Sequence, residues 1–105
     1  MFQLMDDVPV QVPANSTKLV DRLRLFMRGR HLAWSTEQAY VHWVTRFIRF
    51  HKNRHPEEMG ATEIEQYLTH LAVQELAAPA TQGIALNALV FLYREFLEQP
   101  PGKLH

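Results

Sequence analysis

The residues of this chain that could move protons, hold a metal or act as nucleophiles are six histidines, three tyrosines and its scattered carboxylates. Their spacing decides whether they can act together. His31, His42, His51, His55, His70 and His105 never form the paired-histidine helical motif of zinc peptidases. His51 and His55 are four apart, but Pro56 follows at once and no carboxylate lies between them. Glu57 and Glu58 are adjacent and so diverge on a helix or lie in a loop, and Glu63 and Glu65, two apart, do not share a helical face. There is no cysteine, hence no disulfide framework, thiolate nucleophile or cysteine metal site. The four glycines are too dispersed for a nucleotide-binding loop. The sequence therefore predicts no self-contained catalytic centre, no metal site and no cofactor, with these groups serving as surface or capping residues.

What remains is charge. The formal net charge is zero, which on its own argues against a nucleic-acid ligand. The total conceals a division. From Lys18 to Pro56 nine Lys or Arg stand against two acids, a surplus of seven; from Glu57 to Gln99 seven acids stand against Arg94 alone, a deficit of six. A binding face responds to local field rather than to whole-chain charge. The candidate contacts are Arg22 and Arg28 on the first helix expected below, Arg30 just after it, and Arg46, Arg49 and Lys52 on the second. The bland reading is an ordinary solvated face. Against it, a normal helical surface mixes signs, and acids are nearly absent here. A helix can enter a major groove while Arg and Lys neutralise the flanking phosphates. Charge alone does not separate duplex DNA from RNA or from an acidic protein.

The elements that must position these residues read as all-α in a single domain. Residues 1–15, with Pro9, Pro13 and Asn15, show no sustained period and read as a flexible lead-in. Asp6 and Asp7 and the missing apolar core argue against a signal peptide, and no stretch approaches the roughly 20 apolar residues of a bilayer span. A first helix is expected over 17–28, capped by Ser16 or Thr17, with Gly29 as its stop. A second runs over 35–53, where Ser35 and Gln38 have capping-box spacing and Trp34 stands where a hydrophobic staple would. It places Tyr40, Trp43, Val44, Phe47 and Ile48 on one face and His42, Thr45, Arg46, Arg49 and Lys52 on the other. A third is expected over 62–74, with a Thr62–Glu65 box, and a fourth over 79–98, started by Pro79 and apolar on most of its circumference, hence central. Aromatic side chains at this spacing are core. The domain spans 16–98, and 99–105, with Pro100, Pro101 and Gly102, reads as the start of a linker, its end resembling the edge of a fragment.

The combined pattern is familiar. Trp34-Ser35-Thr36-Glu37-Gln38-Ala39-Tyr40, Trp43, Arg46-Phe47-Ile48, Phe50-His51, Arg54-His55-Pro56, Met59-Gly60 and the run from Ile64 to Leu71 resemble the amino-terminal core-binding domain of integron-type integrases, in the tyrosine recombinase family. The resemblance continues through Thr81-Gln82, Asn87-Ala88-Leu89 and Phe91-Leu92-Tyr93-Arg94-Glu95, covering Lys18 to Leu97. It implies a compact four-helix SAM-like bundle forming half of a C-shaped clamp on double-stranded DNA at recombination sites. The implied partners are a catalytic domain of the same polypeptide and further copies on DNA, in the cytoplasm at the nucleoid, with no membrane. Tyr40, Tyr67 and Tyr93 would not be the nucleophile, which belongs to that other domain. Thr36, His42, Thr45, Arg46 and Arg49, with Gln82 and Asn87, become candidate DNA-facing positions. Ala78-Pro79-Ala80 and Gly83 depart from the pattern. A helical protein-interaction module supporting assembly is the alternative; an enzyme in its own right is not supported, because no nucleophile, base and orienting group converge.

Overall fold

The computed structural model describes residues 18–99. The expected lead-in, most of the expected linker and the Ser16/Thr17 cap lie outside them. Within them are four α-helices: α1 (Leu19–Gly29), α2 (Trp34–Phe50), α3 (Ala61–Val73) and α4 (Pro79–Phe91). A 3-10 turn, Pro56–Glu58, precedes α3, and α4 runs on into a π-helical turn, Leu92–Phe96. The all-helical expectation holds, with no strand among the described residues.

Helices α1, α2 and α3 each carry an apolar stripe at helical period, whereas α4 is apolar on most of its circumference. Leu23 and Met27 of α1, Val41, Val44 and Phe47 of α2, and Ile64, Tyr67 and Leu71 of α3 close on Ala85, Leu89, Leu92 and Tyr93 of α4 and its continuation. The central place expected for α4 is observed: it packs on both α2 and α3, while the π turn reaches α1. It achieves this through small residues. Ala85 and Ala88 are wholly buried, so neighbouring backbones approach closely, and Ile84, 46% exposed, points outward rather than inward. An aromatic chain ties three elements together: Phe26 lies 5.9 Å from Phe91 and 5.3 Å from Phe96, and Tyr40 lies 5.4 Å from Phe91. The buried Tyr93 hydroxyl donates to the Pro56 carbonyl at 2.6 Å, fixing the 3-10 turn against the helix end.

Helix termini depart from the expected chemistry. Helix α2 begins at Trp34 with Ala33 as its cap and no side-chain capping bond, so Ser35 is an exposed residue of the first turn. Trp34 is consequently inside the helix rather than before it, where a staple would sit. Its ring faces Arg24, whose guanidinium carbon is 5.8 Å from the ring centroid. Helix α3 starts one residue before the Thr62 boundary, and its box is displaced: the Gly60 amide donates to Glu63 Oε1 at 2.8 Å. Glycine offers no side chain, so only that half of the box exists, and it holds the Glu63 carboxyl below the ordinary range against the opposing effect of burial. Gly29 is the last residue of α1, but the left-handed turn falls on His31, φ 62°. Lys52 and Asn53 do the same after α2, Leu76 after α3 and Glu98 after the π turn.

Candidate nucleic-acid interface

Helix α2 is held by one face and presents the other. Glu37, Val41, Val44 and Phe47 are its buried residues. On the opposite side His42, Thr45, Arg46 and Arg49 follow one another at spacings of three, one and three, a single stripe on a 3.6-residue helix. His42 and Arg49 are exposed, Thr45 and Arg46 half-buried, and Thr36 half-buried in the first turn. Lys52 is exposed in the turn after α2. Arg49 and Lys52 have no ion-pair partner among the described residues.

Arg46 is held from two sides. Its guanidinium lies over Trp43, 5.5 Å from the ring centroid, and its Nη2 donates to Glu75 Oε2 at 2.6 Å, across to the segment after α3. His70 Nε2 shares that oxygen at 2.9 Å. The bond to Glu75 raises Arg46, and the bond from Arg46, with that from His70, lowers Glu75, in each case against the opposing effect of burial. Trp43 is only partly buried. The expectation that it lies in the core stripe with Phe47 is corrected: the core register of α2 runs through Val41, Val44 and Phe47, and Trp43 flanks it beside His42 and Arg46.

The basic residues of α1 occupy other ground. Arg28 donates through Nε and Nη2 to both oxygens of Glu37, at 3.0 and 2.9 Å, and Arg24 adds Nη1 at 2.8 Å. Glu37 is 2% exposed, and the two arginines are 16% and 31% exposed. Burial alone would raise the Glu37 carboxyl, but the arginine hydrogen bonds and charges outweigh it and hold the group below its usual range. Arg30 pairs with Glu95 at 2.9 Å and lies over Phe26, while Arg22 sits over Phe96, 5.8 Å from its ring centroid. Arg22 and Arg30 thus gather at the π turn and Arg46 at the α3–α4 connection. The sequence's single basic run is divided between two places, and much of it meets acids from the second half of the chain.

Gln82 and Asn87 fall on different sides of α4, as five residues of helix require. Gln82 donates to the Ala77 carbonyl at 2.9 Å, bracing the α3–α4 connection. Asn87 is exposed and lines a groove of about 310 Å³ with Tyr40, Leu86, Val90, Phe91, Arg94 and Glu95. His51 and His55 diverge, His51 Nε2 bonding to the Glu63 carbonyl at 2.9 Å and His55 Nδ1 accepting from the Glu57 amide at 3.1 Å. Among the described residues no group of three metal-ligating side chains assembles, and no helix is long and apolar enough to cross a membrane. Tyr67 and Tyr93 are buried, desolvation pushing Tyr67 up to about 12 and Tyr93 higher still.

Residue reasoning passed over Glu37. The signal was present: Glu37 stands four residues before Val41 and seven before Val44, in register with the core, and a carboxylate there demands a buried partner.

Residues 19–103 match the family of phage integrase N-terminal SAM-like domains. The chain belongs to this family. An integrase/recombinase of Escherichia coli and one of Pseudomonas aeruginosa are each 46% identical to it over 85 residues, 81% of this chain and 25% of theirs. A third relative, from Sinorhizobium fredii, is 31% identical over 83 residues. The chain thus spans about a quarter of the length of these integrase/recombinase relatives and corresponds to the N-terminal, non-catalytic domain of the phage integrase family.

Proposed function

We propose that this chain is the DNA-gripping domain of a site-specific tyrosine recombinase, a SAM-like bundle spanning 16–98 that closes one side of a clamp around duplex DNA at recombination sites. The catalytic domain that cuts and rejoins the strands is supplied by the same polypeptide, beyond a linker that begins near residue 99. The full protein assembles as several copies on DNA, in the cytoplasm at the nucleoid. The observation that carries this reading is the stripe of His42, Thr45, Arg46 and Arg49 on the unburied side of α2, in a chain whose family is that of integrase N-terminal domains. A guanidinium gains from a charge-assisted bond to phosphate and, at a guanine edge, makes two.

Charge reversal tests it. Arg46→Glu with Arg49→Glu should leave the helical fold in place and weaken binding of a short duplex several-fold or more, flattening its salt dependence. Chemical-shift titration at low salt reads both. Unchanged shifts and affinity would mean that α2 does not face DNA. Binding to a protein partner, with little dependence on ionic strength, would favour the interaction module, since phosphate contact costs about one unit of log–log salt slope for each charge neutralised.

A further inference from the structure

Arg46 stands at the middle of the α2 stripe but is not idle. Its Nη2 is bound to Glu75 at 2.6 Å, and the two side chains are 35% and 33% exposed. This differs in kind from Glu37, which holds Arg24 and Arg28 from a buried position where no competing anion can replace it. The Arg46–Glu75 pair can be exchanged in water at small cost, because exposed pairs have only a shallow well. The Trp43 ring supports the guanidinium face and does not depend on what the edge is bound to, so Arg46 keeps its place while changing partner. A carboxylate on a guanidinium edge occupies the donors a phosphate oxygen would use. Glu75 comes from the acidic half of the chain and meets the basic half, and it reaches Arg46 from the connection after α3, where the backbone turns through Leu76, φ 53°.

Resting on the proposed function, we infer that Glu75 is a specificity-determining residue, an internal stand-in for phosphate that occupies Arg46 until a DNA backbone in the correct register displaces it. Such a pair discourages indiscriminate phosphate binding, since a duplex that does not repay breaking it leaves Arg46 on Glu75, whereas a site that also engages Arg49 and Lys52 displaces the carboxylate. The raised Arg46 and lowered Glu75 are the electrostatic record of that occupancy. His70, on the same Glu75 oxygen, retains the carboxylate after Arg46 leaves.

The test is a double-mutant cycle on the 105-residue chain, read by titration with a short mixed-sequence duplex across a series of salt concentrations. Glu75→Gln should bind this duplex about 1.5- to fivefold more tightly, the worth of an exposed pair. Its salt slope should steepen by up to about one unit as Arg46 becomes available. Both gains should vanish in an Arg46→Ala background, which separates release of Arg46 from the mere loss of a negative charge. Thermal melting of each variant confirms the fold. Equal or weaker binding by Glu75→Gln overturns the inference while leaving the DNA reading intact; weaker binding would make Glu75 a support of Arg46 rather than its competitor. A gain that persists without Arg46 overturns it equally. Absence of salt-dependent binding in every variant, Glu75→Gln included, sinks both.

Discussion

Replacing Glu37 with Gln isolates the one buried charge among the described residues. The carboxylate is 2% exposed and accepts three bonds from Arg24 and Arg28. Gln keeps the shape and one acceptor, but it turns an amide donor toward guanidinium donors and removes the charge. Breaking a fully buried pair costs about 3–5 kcal/mol, while an exposed pair is worth about 1 kcal/mol or less. The arginines are 16% and 31% exposed and regain part of their hydration, which places the loss at about 2 kcal/mol. In a domain of this size that lowers the melting temperature by about 8–16 °C. The effect should depend on pH with a definite sign. Glu37 is held below its ordinary range, so its stabilisation is complete above the unfolded carboxylate pKa and is lost as pH falls through the folded one. The gap between wild type and Glu37→Gln, followed by far-UV circular dichroism, should be widest near neutrality and narrow under acid. An unchanged melting temperature at neutral pH, or a gap indifferent to pH, would refute the reasoning.

Three further outcomes are expected. Phe47→Ala, at a wholly buried position, should cost about 3–5 kcal/mol in a urea titration, and Trp43→Ala distinctly less because its ring flanks the core. Gly83 is exposed inside α4 and a Cβ there meets nothing within 4 Å, so Gly83→Ala should raise stability by about 0.5–1 kcal/mol, visible as a higher urea midpoint. Incubated with a nicked suicide substrate, the chain should give no covalent adduct on a denaturing gel; an adduct mapped to Tyr40, Tyr67 or Tyr93 would overturn the assignment of strand cleavage to another domain.

The first three helices were legible because their apolar stripes repeat at helical period, and the central α4 because it is apolar on most of its circumference, signals local irregularities do not erase. The starts of α2 and α3 were not. Ser35 and Thr62 offer the right side chains one turn ahead of an apolar run, yet nothing local shows that Ala33 and Gly60 carry the chain into the helix first. The basic surplus was legible as a sum and misleading as a surface, because composition cannot say which acid folds onto which base. Glu75 is 29 residues from Arg46, and Glu95 is 65 from Arg30. Trp43 was placed a step too deep since an apolar face drawn from five residues is wider than the contact it makes. Arg49 is exposed on α2 as drawn, whereas Lys52, expected on the same helix, falls in the turn beyond it, because α2 ends at Phe50 rather than 53 and the backbone turns left-handed at Lys52.

The helix ends that turn through His31, Lys52, Asn53, Leu76 and Glu98 have a consequence for protein engineering. A side chain in the left-handed region costs about 1–2 kcal/mol, least for asparagine and most where nothing compensates it. Leu76 is the plainest case, 81% exposed at φ 53°, with no burial to offset the backbone. Alanine scanning would report that position as silent, because Ala retains the Cβ that makes the turn unfavourable. Leu76→Gly should instead raise the urea midpoint, a gain in stability of about 0.5–1 kcal/mol once the greater freedom of glycine in the unfolded chain is deducted. At this connection the usual ranking of residues is inverted, and the substitution most often avoided in a thermostability screen is the one to try first.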